Sequence, residues 1–96
     1  MNDFHTLSNQ TLEEVADFFE SSWPNADVDL IDGTLTISVP NGQYVINKHG
    51  VTHQIWVASP FTGAHHFHYK DQTWVCTRTA KPLKDFLSTE LRDYAS

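Results

Sequence analysis

Carboxylates are the side chains best placed to do chemistry in this chain, and they crowd its beginning. Asp3, Glu13, Glu14, Asp17, Glu20, Asp27, Asp29 and Asp32 all precede Lys48, the first lysine or arginine in the sequence. The rest of the chain mixes its signs, with Lys48, Lys70, Arg78, Lys81, Lys84 and Arg92 set against Asp71, Asp85, Glu90 and Asp93. A concentrated field of one sign attracts cations or a basic partner. Hard cations take oxygen ligands. Glu13, Glu14, Asp17, Glu20, Asp27, Asp29 and Asp32 are therefore candidate ligands of an open, exchangeable metal site whose shell water completes. The competing reading is a solvated helix face. With no base at i+4, each like-charged pair on such a face costs about 0.2–0.5 kcal/mol. The run Asp27-x-Asp29-x-x-Asp32-Gly33 is not an EF-hand loop, because apolar residues intervene and no glutamate closes it.

Other reactive side chains carry weaker signals. His65, His66 and His68 lie on one short stretch, and strand alternation gives His66 and His68 a shared face. Imidazole pairs bind zinc, copper or cobalt, yet neither Cys-x-x-Cys nor His-Glu-x-x-His accompanies them. Ordinary sheet histidines are the favoured reading. Cys76 is the single cysteine; it makes no internal disulfide, which suggests a reducing compartment, and it reads as a buried or edge thiol. Trp56 stands between Ile55 and Val57. If those two are buried, Trp56 faces outward with Asn47, Gln54 and Arg78 around it, as an interface anchor would. Ordinary packing on the sheet surface is the alternative.

The elements that must position these residues follow from hydrophobic period and turn chemistry. Leu12, Val15, Ala16, Phe19 and Trp23 fall on one stripe of a helix over residues 4–22, with Phe4 and Leu7 extending it backwards. Glu13, Asp17 and Glu20 make a second stripe turned away from the first, with Glu14 beside it. Pro24-Asn25 ends the helix. Strands are predicted over 27–30, 34–39, 43–48, 52–58, 65–69 and 73–77, with turns at Asp32-Gly33, Asn41-Gly42, 59–63 and 70–72. Pro82 suits the first turn of a closing helix in which Leu83, Phe86, Leu87, Glu90, Leu91 and Tyr94 follow near helical spacing, five of them apolar. Sequential short strands with tight turns make an antiparallel sheet. The fold class is therefore α+β: two helices packed on one face of an antiparallel sheet of about six strands, the other face open.

The 96 residues suffice for one domain, residues 1–96. A formal net charge of −6 argues against nucleic acid and anionic membrane surfaces as partners. No apolar run is long enough to span a bilayer, and the start lacks a signal-peptide pattern. A bacterial cytoplasm is expected, with the mitochondrial matrix as the alternative for a trimmed form.

Taken together, Tyr44-Val45-Ile46-Asn47-Lys48, Gln54-Ile55-Trp56, Ser59-Pro60 with Gly63, His66-Phe67 and Trp74 resemble the frataxin family, and within it the bacterial CyaY-like branch. The resemblance runs from Phe4 to about Leu91. His49, Val51 and Ala64 depart from the family pattern, and Ser21 to Pro24 interrupt an acidic run that is denser in many relatives. The resemblance implies weak iron binding, Fe(II) or Fe(III), on the acidic ridge of the first helix and first strand. It also implies modulation of iron–sulfur cluster assembly. The ridge would meet a cysteine desulfurase, and the open sheet around Asn47, Gln54, Trp56 and Arg78 would meet the iron–sulfur scaffold protein. A monomer is expected, with iron-induced oligomers possible by the same analogy. Two other functions compete. A ferroxidase would need a preorganised site such as Glu with Glu-x-x-His on facing helices, a motif this sequence lacks. An iron-independent acidic adapter would need only the ridge.

Overall fold

The computed structural model describes residues 4–40 and 42–94. Helix α1 spans Phe4–Ser22 and helix α2 spans Leu83–Tyr94. Between them run β1 (Asp27–Ile31), β2 (Thr34–Val39), β3 (Gly42–His49), β4 (Gln54–Ser59), β5 (Gly63–Lys70) and β6 (Thr73–Cys76). Each strand pairs antiparallel with its neighbour in sequence, so the sheet order is β1-β2-β3-β4-β5-β6. The expected α+β layering is found. Helix α1 covers β1, β2 and β3, and α2 packs against β6.

Local chemistry explains the turns. Ile31 pairs with Thr34, leaving a two-residue loop in which Asp32 (φ 50°) and Gly33 (φ 79°) are both left-handed. That is the twist a tight hairpin favours. The same geometry recurs between Lys70 and Thr73, although Asp71 (φ 52°) and Gln72 (φ 65°) are not glycines. The predicted Asn41-Gly42 hairpin exists but sits one residue earlier. Asn41 itself lies outside the described residues. Gly42 already pairs with Val39 as the first residue of β3. Its glycine identity answers a close approach: a Cβ there would lie 2.7 Å from Cβ of Pro60.

Most strands differ from the sequence expectation by a residue or two at their ends. Thr52 and His53 belong to the turn before β4, with His53 left-handed at φ 55°, so that strand begins at Gln54. Strand β5 is longer than predicted at both ends because Gly63 pairs with Ser59 and Lys70 with Thr73. Thr77 leaves β6, although its N–H still donates to the His66 carbonyl. Pro82 precedes α2, forms an isolated bridge with Val75, and its carbonyl accepts from Phe86 N–H.

The core fills the space between helices and sheet. Phe19, Leu35, Ile37, Tyr44, Ile46, Ile55 and Phe67 are fully buried, with Leu12, Val57, Leu83 and Leu87 beside them. Alternation then decides the other face. Val45, Asn47, Gln54, Trp56, His66 and His68 point away from the helices, since their strand neighbours are the buried residues.

Candidate functional sites: an acidic flank and an open sheet face

The acids are exposed and carry no countercharge. Glu13, Glu14, Asp17, Glu20, Asp27, Asp29 and Asp32 are all solvent-exposed. Among the described residues the single ion pair is Arg92 with Asp93, at 3.3 Å on the surface of α2. Lys48, the nearest base in sequence, donates instead to Oδ1 of Asn9 at 3.1 Å.

The structure divides these acids. Glu14 lines the groove between the helices, with Leu7, Phe18, Lys84 and Asp85. It therefore leaves the stripe beside which the sequence placed it. Round the helix from Glu14, Asp17 lies about 60° away, Glu13 about 100° and Glu20 about 120°, and none of the three lines that groove. Asp27 and Asp29 share one side of β1, as alternation requires. That side is opposite Val28, which packs against the core, so they project from the open face at the sheet edge and not alongside the helix. Asp32 tips the β1–β2 turn. Among the described residues no group of three or more Asp, Glu, His or Cys comes together as a ready metal cage. The donor set is still that of a hard cation: carboxylate oxygens, wet and unpaired, and no soft ligand among them.

The open sheet face has its own geometry, set by register. Asn47, Trp56 and His66 stand in one row across β3, β4 and β5. His49, Gln54 and His68 form the next row. Trp56 does face outward, but it is half-buried and not a free anchor. Its indole is sandwiched between the rings of His49 (4.1 Å, 5° between planes) and His66 (4.3 Å, 17°). The first contact is diagonal and the second direct, the two reaches available on one sheet face. The indole Nε1–H donates to Oε1 of Gln54 at 2.8 Å. His49 is held through Nδ1 by the Thr52 hydroxyl at 3.1 Å. Only the edge of the indole is left for a partner. Arg78 is exposed in the turn after β6 and makes no hydrogen bond to Trp56.

The three histidines of β5 separate as alternation demands. His65 turns to the helix side and packs its ring 4.4 Å from that of Phe86. Burial lowers its pKa, and the nearby charge of Arg78 and His66 lowers it further against an opposing pull from Glu90. Cys76 is buried. Burial alone would raise its pKa, but hydrogen bonds from the Thr79 hydroxyl and the Arg78 and Thr79 backbone, together with the Arg78 charge, bring it down overall.

Sequence reasoning missed the most connected polar residue. Glu90 sits on the apolar side of α2 and is 3% exposed. Its Oε1 accepts from Tyr44 Oη (2.9 Å) and Ser59 Oγ (2.7 Å), and its Oε2 accepts from Thr62 Oγ1 (2.8 Å). Thr62 Oγ1 has thereby spent its only proton, so its 2.8 Å contact with His65 Nε2 requires the imidazole to donate. Burial and the Glu90 carboxylate raise the pKa of Tyr44 strongly. The one available signal was a glutamate standing at an apolar helical position.

Comparisons with known proteins agree with this architecture. The frataxin-like domain family model matches residues 1–96. The chain is 33% identical over 102 residues to the mitochondrial frataxin homologue of Schizosaccharomyces pombe, covering 98% of this chain and 65% of that protein. It is 31% identical over 94 residues to the iron-sulfur cluster assembly protein CyaY of Aliivibrio fischeri, covering 97% of this chain and 89% of that one. Among solved structures, trimeric frataxin from the yeast Saccharomyces cerevisiae, complexed with ferrous iron, superposes with a TM-score of 0.81 at 31% identity over 97% of this chain and 86% of that one. Frataxin from Psychromonas ingrahamii gives 0.82 at 26% identity, covering 98% and 92%. A helix–meander–helix layout with an acidic first helix and an Asn47-Trp56-His66 row belongs, with this match along residues 1–96, to a member of the frataxin family.

Proposed function

We propose that this protein modulates iron–sulfur cluster assembly in response to iron, by binding and not by catalysis. The carrying observation is the set of seven exposed carboxylates on α1, β1 and the turn after it, none of which has a base within salt-bridge reach among the described residues. A protein does not gain stability from such repulsion, so the charges are kept for something they meet. Glu13, Asp17 and Glu20 on the helix, with Asp27, Asp29 and Asp32 at the sheet edge, suit loosely held Fe(II) or Fe(III). Glu14, beside the helix groove, is the outlying member of the set. Weak, exchangeable iron is cargo or signal in this reading.

The same carboxylates suit a basic surface, which we assign to the cysteine desulfurase. The open face around Asn47, Gln54 and Trp56 is assigned to the scaffold protein, with Arg78 at its margin. Support comes from the names of relatives, one an iron-sulfur cluster assembly protein and one a frataxin crystallised with ferrous iron. Their sources also favour a bacterial cytoplasm or a mitochondrial matrix as the compartment. The iron-bound yeast relative is a trimer, so iron-dependent association of this chain is part of the proposal.

The test is cluster-assembly kinetics on purified desulfurase and scaffold, with and without this protein and with and without iron. An iron-dependent change in rate is expected. Charge reversal at Asp17, Glu20 and Asp29 should abolish desulfurase binding and the rate effect, whereas Trp56→Ala should spare desulfurase binding and weaken the scaffold contact. Wild-type affinity for the desulfurase should also fall steeply with salt, since exposed charges are screened beyond about 8 Å at physiological ionic strength. An effect that persists unchanged without iron would reduce the protein to an acidic adapter.

A further inference from the structure

The indole of Trp56 lies between two imidazoles, His49 at 4.1 Å on one side and His66 at 4.3 Å on the other. Imidazole is the side chain whose charge changes within the physiological pH range. A protonated imidazole over an indole face is a cation–π pair and is attracted to it, so protonation tightens the stack and does not break it. The hydrogen bonds permit this. The Thr52 hydroxyl can accept from His49 Nδ1 whether the ring is neutral or charged, and the indole N–H is committed to Gln54.

The surroundings decide the sign of the surface. On β3 the open-face neighbours are Val45 and Asn47, and on β4 they are Gln54 and Ala58, none charged. Strand β5 contributes His68 and Lys70 beside His66. Strand β6 contributes Thr73 and Val75, and Arg78 follows it. His53, in the preceding turn, stacks on Phe4 at 4.9 Å. Asp27 and Asp29 on β1 share this face, two strands from β3 and hence about 10 Å from that strand, and Asp32 tips the β1–β2 turn, whose Gly33 lies against the Lys48 side chain. Both helices lie on the far side of the sheet.

We propose that the His49–Trp56–His66 stack is a proton-responsive docking platform, which acquires positive charge as pH falls and thereby holds more tightly a protein surface bearing carboxylates. The proposal rests on the reading of the open sheet as a docking face. It adds the chemistry of the partner surface and the control of its affinity.

Two measurements separate this proposal from that reading. The first needs no partner: NMR titration of the ring protons of His49 and His66 together with the Trp56 indole N–H, between pH 8 and pH 5. The indole signal should move with both histidines in the wild type and stay still in the His49→Gln/His66→Gln double variant. The second is affinity for purified iron–sulfur scaffold protein at pH 7.5 and pH 6.0. Wild type should bind about three- to tenfold more tightly at the lower pH, since exposed charge pairs are individually modest. The double variant should lose that gain, binding equally at the two pH values whatever its affinity at pH 7.5. If binding needs Trp56 but the double variant keeps the full pH dependence, the proton response is wrong and the docking reading survives. An indole that ignores the histidine titration also overturns the proposal. Binding untouched by Trp56→Ala at both pH values removes the docking face, and the proposal with it.

Discussion

Two populations of carboxylates in this molecule have opposite fates. Glu90 is enclosed by Tyr44, Ser59 and Thr62, and all three hydroxyl protons point at it. Glu13, Asp17, Glu20, Asp27 and Asp29 stand in water with no cation beside them. The first arrangement joins the last helix to the middle of the sheet and to the β4–β5 turn. The second joins nothing within the chain. Buried acids are tolerated when every lone pair is used, whereas exposed acids that repel one another persist when a ligand or partner is the missing half. The contrast separates the part of the molecule that holds it together from the part that meets something else.

The largest expected effect probes the enclosed member. Glu90→Ala strips the buried hydroxyls of Tyr44 and Ser59, and the part-buried one of Thr62, of their acceptor and should cost about 2–4 kcal/mol. Urea unfolding measures it, and a variant as stable as wild type would show that water replaces the carboxylate without loss. Next, Tyr44→Phe removes one donor and should cost about 1 kcal/mol at neutral pH. The raised pKa of Tyr44 means that its neutral form is favoured in the fold. Its contribution is therefore complete below pH of about 10 and is lost as pH rises above the ordinary tyrosine value. Alkaline unfolding should begin there in wild type and be less steep in Tyr44→Phe, as circular dichroism against pH would reveal.

The exposed population should answer with the opposite sign. Asp17→Asn with Glu20→Gln should raise the melting temperature by a few degrees, worth up to about 1 kcal/mol, while weakening iron binding. A lower melting temperature in calorimetry would mean that these acids have stabilising contacts after all, and the contrast with Glu90 would collapse. The smallest effect concerns His65. Its pKa is lowered in the fold, so its neutral form contributes stability that is complete above the ordinary histidine value of about 6.5 and is lost as pH falls through the lowered one. His65→Gln should flatten the acid limb of the melting-temperature profile. An unchanged limb would assign that pH dependence elsewhere.

Much of this layout was legible in advance. The bounds of α1 followed from a single apolar stripe. The inward and outward sides of β4 followed from Ile55 and Val57. Both are periodic signals carried by many residues at once. What escaped was pairwise and distant. Nothing local marks Glu90 as the acceptor for a tyrosine 46 positions away. Nothing local marks His49 as a ring that would lie over Trp56, because that contact exists only once β3 and β4 are in register. The demand on Gly42 is likewise distant, since it comes from Pro60, just past the end of β4. The split of Glu14 from its neighbours required knowing where α2 lies.

The order β1-β2-β3-β4-β5-β6 also bears on how fast the molecule can form. Every strand pairs with the one before it, across loops of only a few residues. Closing such loops costs little entropy, so the sheet can zip from any of its turns. The distant closures are those of the helices, such as Trp74 Nε1 donating to Thr11 Oγ1 at 2.7 Å across 63 positions. The rate-limiting step of folding should therefore be the docking of α1 onto a meander that already has its pairing. Truncating Leu12 or Phe19 would then slow folding, while shortening a side chain at a hairpin tip would leave the rate nearly untouched.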